Sequence, residues 1–160
     1  MTIDPYHFGT SNITGTYTGD VKRAKLYVND TYSGVSGGTF NDEKFTFYVR
    51  NKFKSTDKVE LEGLDSKDSV LVERTIVEIL SGISASYSLE SKSINGEYKG
   101  EIDQVKVYVN GRTRVTGGDF EEESFEIPVS TRINVGDKVE VEGLDKNNKV
   151  ITEKQSVEIV

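Results

Sequence analysis

The sequence predicts an all-β protein made of two antiparallel β-sandwiches in tandem, each with about seven strands. Three observations predict this fold class. The chain repeats itself with a period of about 80 residues, which suits a whole small β domain. Within each repeat, short segments alternate apolar and polar residues, and turn-forming residues separate them roughly every 8 to 12 positions. No segment has the apolar spacing of a convincing helix.

The repeat is clearest in two pairs of segments. GTYTGDVKRAKLYVN (15–29) aligns with GEYKGEIDQVKVYVN (96–110), and DKVELEGLD (57–65) aligns with DKVEVEGLD (137–145). The register shifts by one residue between these pairs, because copy one has an extra residue within DTYSG where copy two reads GRTR. We therefore predict two domains, residues 1–80 and 81–160, each able to fold alone.

Alternation places the strands of copy one in order along the chain. The expected strands cover residues 6–8, 12–18, 23–28, 32–40, 45–49, 59–62 and 70–79. In the first strand Tyr6 and Phe8 alternate with His7, and Tyr87 and Leu89 repeat the pattern in copy two. The later strands place inward side chains on the same two-residue period: Ala24, Leu26, Val28, Phe45, Phe47, Val49, Val59 and Leu61.

Turn-forming residues interrupt this pattern at matched places. Asn29-Asp30 and Asn110-Gly111 predict tight hairpins, because these residue types tolerate the positive φ of a type I′ turn. Gly37-Gly38 and Gly117-Gly118 predict a bulge or bend. Pro128 falls on the outward parity of its strand, which suggests a sheet edge, since proline cannot donate a ladder hydrogen bond.

The composition excludes several classes of function. Hydrophobic residues make up 34% of the chain, so each core is thin, and the net charge is −7. This charge argues against nucleic acid and an anionic membrane surface as partners, because both bind clustered Lys and Arg. The absence of cysteine excludes disulfides and thiol chemistry. No apolar run is long enough for membrane insertion, and MTIDPYHF reads as a Met placed before an excised fragment.

Paired acids are the sharpest candidates for chemistry. Glu60 and Glu62, and Glu140 and Glu142, lie two residues apart on a strand and so project from one face. Two such carboxylates could form a hydrolase pair. We favour a solvated face with cross-strand ion pairs, because the third and sixth strands of such a sandwich are neighbours. The expected neighbours are Lys25 and Tyr27 in copy one, and Lys106 and Tyr108 in copy two.

Other acidic segments have two interpretations each. Glu73 and Glu153 fall on core-side parity, so either they are buried functional acids or, as we favour, a bulge turns them outward. The loops at 64–69 and 144–149 could hold calcium, but hairpin turns fit their Lys-containing sequences better. The acidic run at 118–126 is expected to be a solvated hairpin, with a metal or basic partner as the alternative.

No residue pattern supports catalysis or a cofactor. His7 is the only histidine and falls on outward parity, so we expect it on the surface. An internal Lys–Asn cross-link would require a buried lysine, whereas Lys25 and Lys106 fall on the outward face. We predict no enzyme, no metal and no cofactor, and leave ligand-binding residues unassigned.

The segment DPYHFGTSNITGTYTGDVKRAKLYVN, with YSGVSGGTF and DKVELEGLD after it, resembles a family of bacterial immunoglobulin-like domains. These domains recur in tandem in surface and secreted proteins of Gram-positive bacteria. The specific part is GTYTGDV…LYVNG. Copy one departs from it at Asp30, where the family usually has Gly, and copy two keeps Gly111 but reads GEYKGEI. The resemblance implies two tandem immunoglobulin-like β-sandwiches in an extracellular setting and carries over no catalytic residue.

The resemblance also implies a role within a larger parent protein. We expect a non-catalytic spacer, or stalk, whose partners are neighbouring domains. The alternative is an adhesion module that binds cell-wall glycan or a host protein, or an accessory domain of an enzyme or toxin. Its binding surface would be the face with Arg23, Lys25 and Tyr27, or the loops at 30–34 and 118–124. Outward Lys and Pro near candidate edges favour a monomer.

Overall fold

The structure, a computed structural model, describes all 160 residues, and they divide into two compact units. Unit 1 contains Met1–Tyr6 and Thr10–Ile79, and unit 2 contains His7–Gly9 and Leu80–Val160. The units differ from the sequence copies in the placement of residues 7–9. The division into domains at 80 and 81 stays a prediction.

The first half of the chain forms two four-stranded antiparallel sheets and a short two-stranded one. Its strands are β1 (Thr2–Ile3), β2 (Tyr6–His7), β3 (Asn12–Thr16), β4 (Arg23–Val28), β5 (Thr31–Gly37), β6 (Thr39–Asn41), β7 (Lys44–Tyr48), β8 (Val59–Leu64), β9 (Val70–Ile76) and β10 (Ile79–Leu80). The sheets have the orders β1-β3-β7-β6, β5-β4-β8-β9 and β10-β2. Leu26, Phe45, Phe47 and Leu61 are fully buried, as the alternation predicts, and Ile13 is buried with them.

The second half repeats the two-sheet arrangement. Its strands are β11 (Gly82–Ser88), β12 (Ser93–Lys99), β13 (Gln104–Val109), β14 (Arg112–Gly117), β15 (Asp119–Glu121), β16 (Ser124–Pro128), β17 (Val139–Leu144), β18 (Gln155–Ser156) and β19 (Glu158–Ile159). The sheets have the orders β15-β16-β12-β11-β19 and β14-β13-β17-β18. β19 runs parallel to β11 and all other pairs are antiparallel. Ile83, Ile94, Val107, Ile127 and Val141 lie at the centre of the core.

The predicted turns are confirmed. Asn29 and Asp30 have φ values of 50° and 66°, and Asn110 and Gly111 have 52° and 79°. At Gly38, with a φ of 99°, the chain leaves the sheet of β4 and joins the sheet of β7. A Cβ atom there would lie 2.9 Å from the Phe40 ring, so this bend requires glycine.

Two predictions about single residues are wrong. Leu89 is 43% exposed, because β11 ends at Ser88 and the alternation stops there. Pro128 does not mark an edge strand, since β16 lies between β15 and β12. Its missing N–H is tolerated because the pairing of β15 reaches only Glu126, which leaves Pro128 paired on the β12 side alone.

An asparagine–aspartate tie links each β-hairpin turn to the loop before the next central strand. Asn29 Nδ2 donates to Asp57 Oδ1 at 2.8 Å, and Asn29 Oδ1 accepts from the Lys58 amide at 3.0 Å. Asp57 Oδ2 in turn accepts from the Lys54 amide at 2.7 Å. Unit 2 repeats all three bonds through Asn110, Asp137, Lys138 and Asn134. The tie joins segments about 28 residues apart, so it orders two turns at once.

Replacing the turn asparagine by glycine should separate this tie from the conformation of the turn. Asn29→Gly keeps the positive φ but removes two hydrogen bonds, so unfolding should become easier by about 1 kcal/mol, since each exposed bond contributes little. Asp42→Gly is the matched control, because Asp42 has the same φ of 50° but no recorded hydrogen bond. Urea unfolding followed by circular dichroism measures both. Equal effects of the two substitutions would contradict a role for the tie.

The tie should also weaken in acid. The Asn134 amide and the Asn110 side chain hold the pKa of Asp137 below its ordinary value of 3.8. A carboxyl group with a depressed folded-state pKa stabilises the fold fully above the unfolded pKa, and this stabilisation disappears as the pH falls through the folded pKa. Asp137→Asn should therefore flatten the loss of stability below pH 3.8, measured as the urea midpoint across that range. Parallel curves for wild type and Asp137→Asn would refute the expectation.

Candidate functional site

The paired acids lie where the sequence predicts, on the central strands of the second sheet in each unit. β4 pairs with β8, so Lys25 lies opposite Glu62 and Tyr27 opposite Glu60. β13 pairs with β17 in the same register, which places Lys106 opposite Glu142 and Tyr108 opposite Glu140. The predicted adjacency of the third and sixth strands is therefore confirmed.

The acids bond to tyrosine rather than to the opposite lysine. Tyr27 Oη donates to Glu62 Oε2 at 2.9 Å, diagonally across the strand pair, and Tyr108 donates likewise to Glu142. The predicted cross-strand ion pairs with Lys25 and Lys106 are absent.

The ion pairs form along the strand instead of across it. Lys58 Nζ lies 3.3 Å from Glu60 Oε1 and 2.6 Å from Asp30 Oδ1. Lys138 Nζ lies 3.3 Å from Glu140 Oε1 in unit 2. The lysine two positions before each glutamate is on the same face, so it reaches the carboxylate without crossing the sheet.

A cation covers each tyrosine ring. The guanidinium carbon of Arg74 lies 3.7 Å from the centroid of the Tyr27 ring, and Lys154 Nζ lies 3.8 Å from that of Tyr108. Arg74 also donates to the backbone oxygen of Asp30 at 3.2 Å. We call Tyr27, Glu62 and Arg74, with Tyr108, Glu142 and Lys154 in unit 2, the tyrosine clusters. The residue pattern of the tyrosine strands does not predict these two cations. Arg74 and Lys154 come from the last segment of each unit, far along the chain from Tyr27 and Tyr108.

The face around these clusters is less solvated than predicted. Glu60 is 7% exposed and Glu142 is 9% exposed, so the prediction of a solvated face is wrong for both. Glu60 Oε2 is buried without a hydrogen-bond partner, which costs on the order of 1–3 kcal/mol. Long side chains that fold over the sheet cause this burial. The alternation of apolar and polar residues along a strand does not predict it.

The electrostatics of unit 1 follow from these contacts. Glu62 accepts the phenolic hydrogen bond, which raises the pKa of Tyr27 above 10.0 by favouring its neutral form. The hydrogen bond to Asp30 and the contact with Glu60 raise the pKa of Lys58, and Lys58 lowers that of Asp30. Glu60 thus contacts Lys58, Glu62 accepts from Tyr27, and Glu60 is covered. The arrangement ties strands together rather than presenting a proton donor to a substrate.

The remaining acids lie in bulges, turns and an exposed hairpin. Glu73 and Glu153 are exposed. The register of β8 against β9 shifts between Leu61 and Gly63, which confirms a bulge there. All the acids of the 118–126 run are exposed on the β15–β16 hairpin, as predicted.

Both acidic loops are hairpin turns, as predicted. Asp65 Oδ1 accepts from the amides of Lys67 at 2.7 Å and Ser69 at 2.9 Å, and these bonds lower the pKa of Asp65. Asp145 makes the corresponding bonds to Asn147 and Lys149. No group of three or more His, Cys, Asp or Glu side chains is placed to hold a metal ion.

His7 is exposed, as predicted. Its Nδ1 atom lies 3.2 Å from the backbone oxygen of Ser81.

Unit 2 contains a cleft that the sequence did not indicate. Its volume is about 590 Å³, and the end of β11, the turn after it and the segment after β16 line it. Its lining residues are Tyr87, Leu89, Lys92 and the seven residues from Val129 to Val135. The two lining segments are about 40 positions apart in the chain, so no local motif marks the cleft.

Comparison with protein families identifies the fold family. A sequence profile described as Bacterial Ig domain matches residues 1–81 and again residues 83–160. The chain belongs to the bacterial Ig domain family. Its two sandwiches are immunoglobulin-like, as the resemblance implied. No curated protein matches the chain.

Three solved structures are similar to this pair of bacterial Ig domains. A "Biofilm associated protein - BSP domain" is 14% identical, with 99% of this chain and 29% of that one covered and a TM-score of 0.39. SGBP-B of the Bacteroides ovatus mixed-linkage glucan utilization locus, solved with a mixed-linkage heptasaccharide, is 10% identical, with 98% and 44% covered and a TM-score of 0.38. The I9–I11 tandem of titin is 9% identical, with 99% and 64% covered and a TM-score of 0.32. The chain spans less than two thirds of each.

No helix in either bacterial Ig domain has the length and apolarity needed to cross a bilayer.

Tyr27→Phe should test the tyrosine cluster of the first bacterial Ig domain. The substitution keeps the ring under Arg74 but removes the bond to Glu62, so unfolding should become easier by about 1 kcal/mol. A tyrosine whose folded-state pKa is raised stabilises the fold below its unfolded pKa, and this stabilisation is lost as the pH rises through the folded value. The wild type should therefore lose stability relative to Tyr27→Phe above pH 10.0.

Urea unfolding at neutral and alkaline pH measures both effects. Tyr32→Phe is the matched control, because Tyr32 is 44% exposed and its hydroxyl has no recorded hydrogen bond. An equal effect of Tyr32→Phe would show that the Tyr27–Glu62 bond contributes nothing specific.

Proposed function

We propose that the chain is a non-catalytic spacer, or stalk, module of a surface or secreted protein of a Gram-positive bacterium. Its partners are the neighbouring domains of a larger parent, and it acts as a monomer without nucleic acid or membrane insertion. The observation that supports the proposal is which residues the two bacterial Ig domains share. The shared residues build turns, cores and internal ties, whereas the exposed loops differ.

The internal ties recur in both units with the same atoms. The asparagine–aspartate tie and the tyrosine–glutamate bond each appear twice, at distances that agree within about 0.1 Å for the tie. These bonds join segments of one unit to each other. Both units keep the bonds that stabilise the fold. This favours a function that depends on the folded domain itself, as in a spacer.

The exposed positions follow no such repetition. The β15–β16 hairpin of unit 2 reads GDFEEESFE at 118–126, and the corresponding part of unit 1 reads GTFNDEKFT. A common ligand for both units would require matching exposed side chains. The divergence therefore argues against a binding function common to both units.

A second candidate is an adhesion module that recognises a glycan or a host protein. The observation that favours it is an aromatic pair in unit 1, where the Tyr27 and Tyr32 rings lie 5.8 Å apart and Tyr32 is 44% exposed. Lys25 Nζ lies 5.8 Å from the centre of the Tyr32 ring, on the face with Arg23. Exposed aromatic and basic side chains together are typical of binding surfaces.

The spacer proposal is tested by replacing the chain with unrelated domains in a protein displayed on the cell wall. The chain is placed between an epitope-bearing domain and a cell-wall anchor, and antibody access to the epitope is measured on intact cells. Deleting the chain should reduce access, and two unrelated β-sandwich domains of equal total length should restore it, because a spacer acts through its folded length.

The contradicting result is a failure of the unrelated domains to restore access. Saturable binding of the isolated, folded chain to cells, wall polysaccharide or a host glycan array, lost in Tyr32→Ser with Lys25→Ser, would establish the adhesion candidate instead.

A further inference from the structure

The cleft of unit 2 combines an apolar wall with polar groups that face a ligand-sized space. Its volume of about 590 Å³ is within the usual range for small-molecule sites. Leu89 and Val135 are exposed at the cleft, and Val129 is buried beneath it. The other lining side chains include hydroxyl and amide groups: Ser130, Thr131 and Asn134.

The hydroxyl of Tyr87 at the cleft has no partner within the chain. Tyr87 is 2% exposed and lines the cleft, yet its Oη atom makes no recorded hydrogen bond. The corresponding residue of unit 1, Tyr6, donates to the backbone oxygen of Thr10 at 2.6 Å. The Tyr87 ring is buried, but its unpaired hydroxyl is not, so it is accessible from the cleft and free to bond a ligand.

The two units also differ in how the tyrosine ring is covered. In unit 1 the Phe53 ring packs edge-on against Tyr6, with centroids 5.4 Å apart. The corresponding residue of unit 2 is Ile133, which has no ring to extend over Tyr87. The open space over the tyrosine ring is thus present in unit 2, whereas Phe53 fills the corresponding space in unit 1.

Two cations at the cleft have no acidic partner. Lys92 and Arg132 line it, and neither makes a recorded ion pair. No Asp or Glu lines the cleft, although the chain as a whole has a net charge of −7. Two unpaired cations in an acidic protein favour an anionic ligand, and an arginine fork matches a carboxylate.

We propose that this cleft binds an acidic saccharide, a sugar that carries a carboxylate. Arg132 and Lys92 hold the carboxylate, the Tyr87 hydroxyl bonds a ring or hydroxyl oxygen, and Leu89 and Val135 contact the C–H face of the sugar. A sugar fits better than an acidic peptide, because the lining offers hydroxyl and amide partners around a concave cleft rather than along an open strand edge.

Titration of the full chain with tri-galacturonic acid, followed by calorimetry and by amide chemical shifts, tests the proposal. Arg132→Glu should weaken binding by at least about tenfold, as expected for losing a charge-assisted bond and adding a repulsive charge. Tyr87→Phe should weaken binding severalfold while leaving the melting temperature unchanged, because the folded chain loses no hydrogen bond.

Matched variants in unit 1 make the result specific. Lys52→Glu makes a similar charge change at the position corresponding to Arg132, and it should leave the affinity unchanged. Tyr6→Phe should lower the melting temperature through loss of the Thr10 bond, again without affecting binding.

Any of these results would overturn the proposal: no binding of the trisaccharide, equal binding of neutral galactotriose, equal weakening by Lys52→Glu, or tighter binding of tetraglutamate. Oligomeric glycerol phosphate in parallel distinguishes a carboxylated sugar from a phosphate source, and preference for it would also refute the carboxylate. A negative result leaves the spacer proposal intact, since that rests on epitope access.

Discussion

The register of β4 against β8, and of β13 against β17, is the constraint on which the rest of each unit depends. It places Leu26 against Leu61 inside the sandwich and Lys25 against Glu62 outside it. A slip of one residue would turn one strand over relative to the other, which would expose its leucine and bury its charged residue. With only 34% hydrophobic residues, the chain cannot replace these contacts elsewhere. The tight asparagine turn after β4 and the tie to Asp57 act at the end of the same strand pair, where they oppose such a slip.

The outward face of this strand pair is an internal scaffold rather than an open charged surface. A tyrosine hydroxyl, a glutamate and a cation stacked on the ring occupy it in each unit. The individual contacts are modest, since a cation over an exposed ring contributes about 0.5–1 kcal/mol. They act together because each uses a different group of the same tyrosine. The cost appears at Glu60, whose Oε2 atom is buried without a partner beneath this layer. A strand with three inward apolar residues and two covered glutamates is stable only if the covering side chains remain in place.

The two units share their cores, turns and internal ties, which we call the frame. They differ in the loops and the cleft around it, which we call the rim. Arg74 in unit 1 corresponds to Lys154 in unit 2, and both reach the tyrosine ring, so the frame tolerates exchange of cation type. The rim shows no such equivalence, because Phe53 covers Tyr6 whereas Tyr87 faces a cleft. A spacer role depends on the frame and a saccharide site depends on the rim. The two proposals are therefore compatible within one chain, as loops carry ligands on a scaffold that packing keeps rigid.

The sequence by itself determined the strands, the turns and the core. Alternation identifies Leu26, Phe45 and Phe47 as inward, and the residue types of Asn29-Asp30 indicate a hairpin, because both depend on neighbouring residues alone. The repeat indicates two domains, the resemblance of GTYTGDV…LYVN indicates the family, and a seven-strand sandwich predicts the adjacency of the central strands. Only the tertiary structure decided what depends on distant segments meeting: the stacking of Arg74 on Tyr27, the burial of Glu60, the position of Pro128 beside a strand that ends early, and the cleft at Tyr87. Long side chains choose their partners after the sheets have formed, and a two-residue period contains no information about that choice.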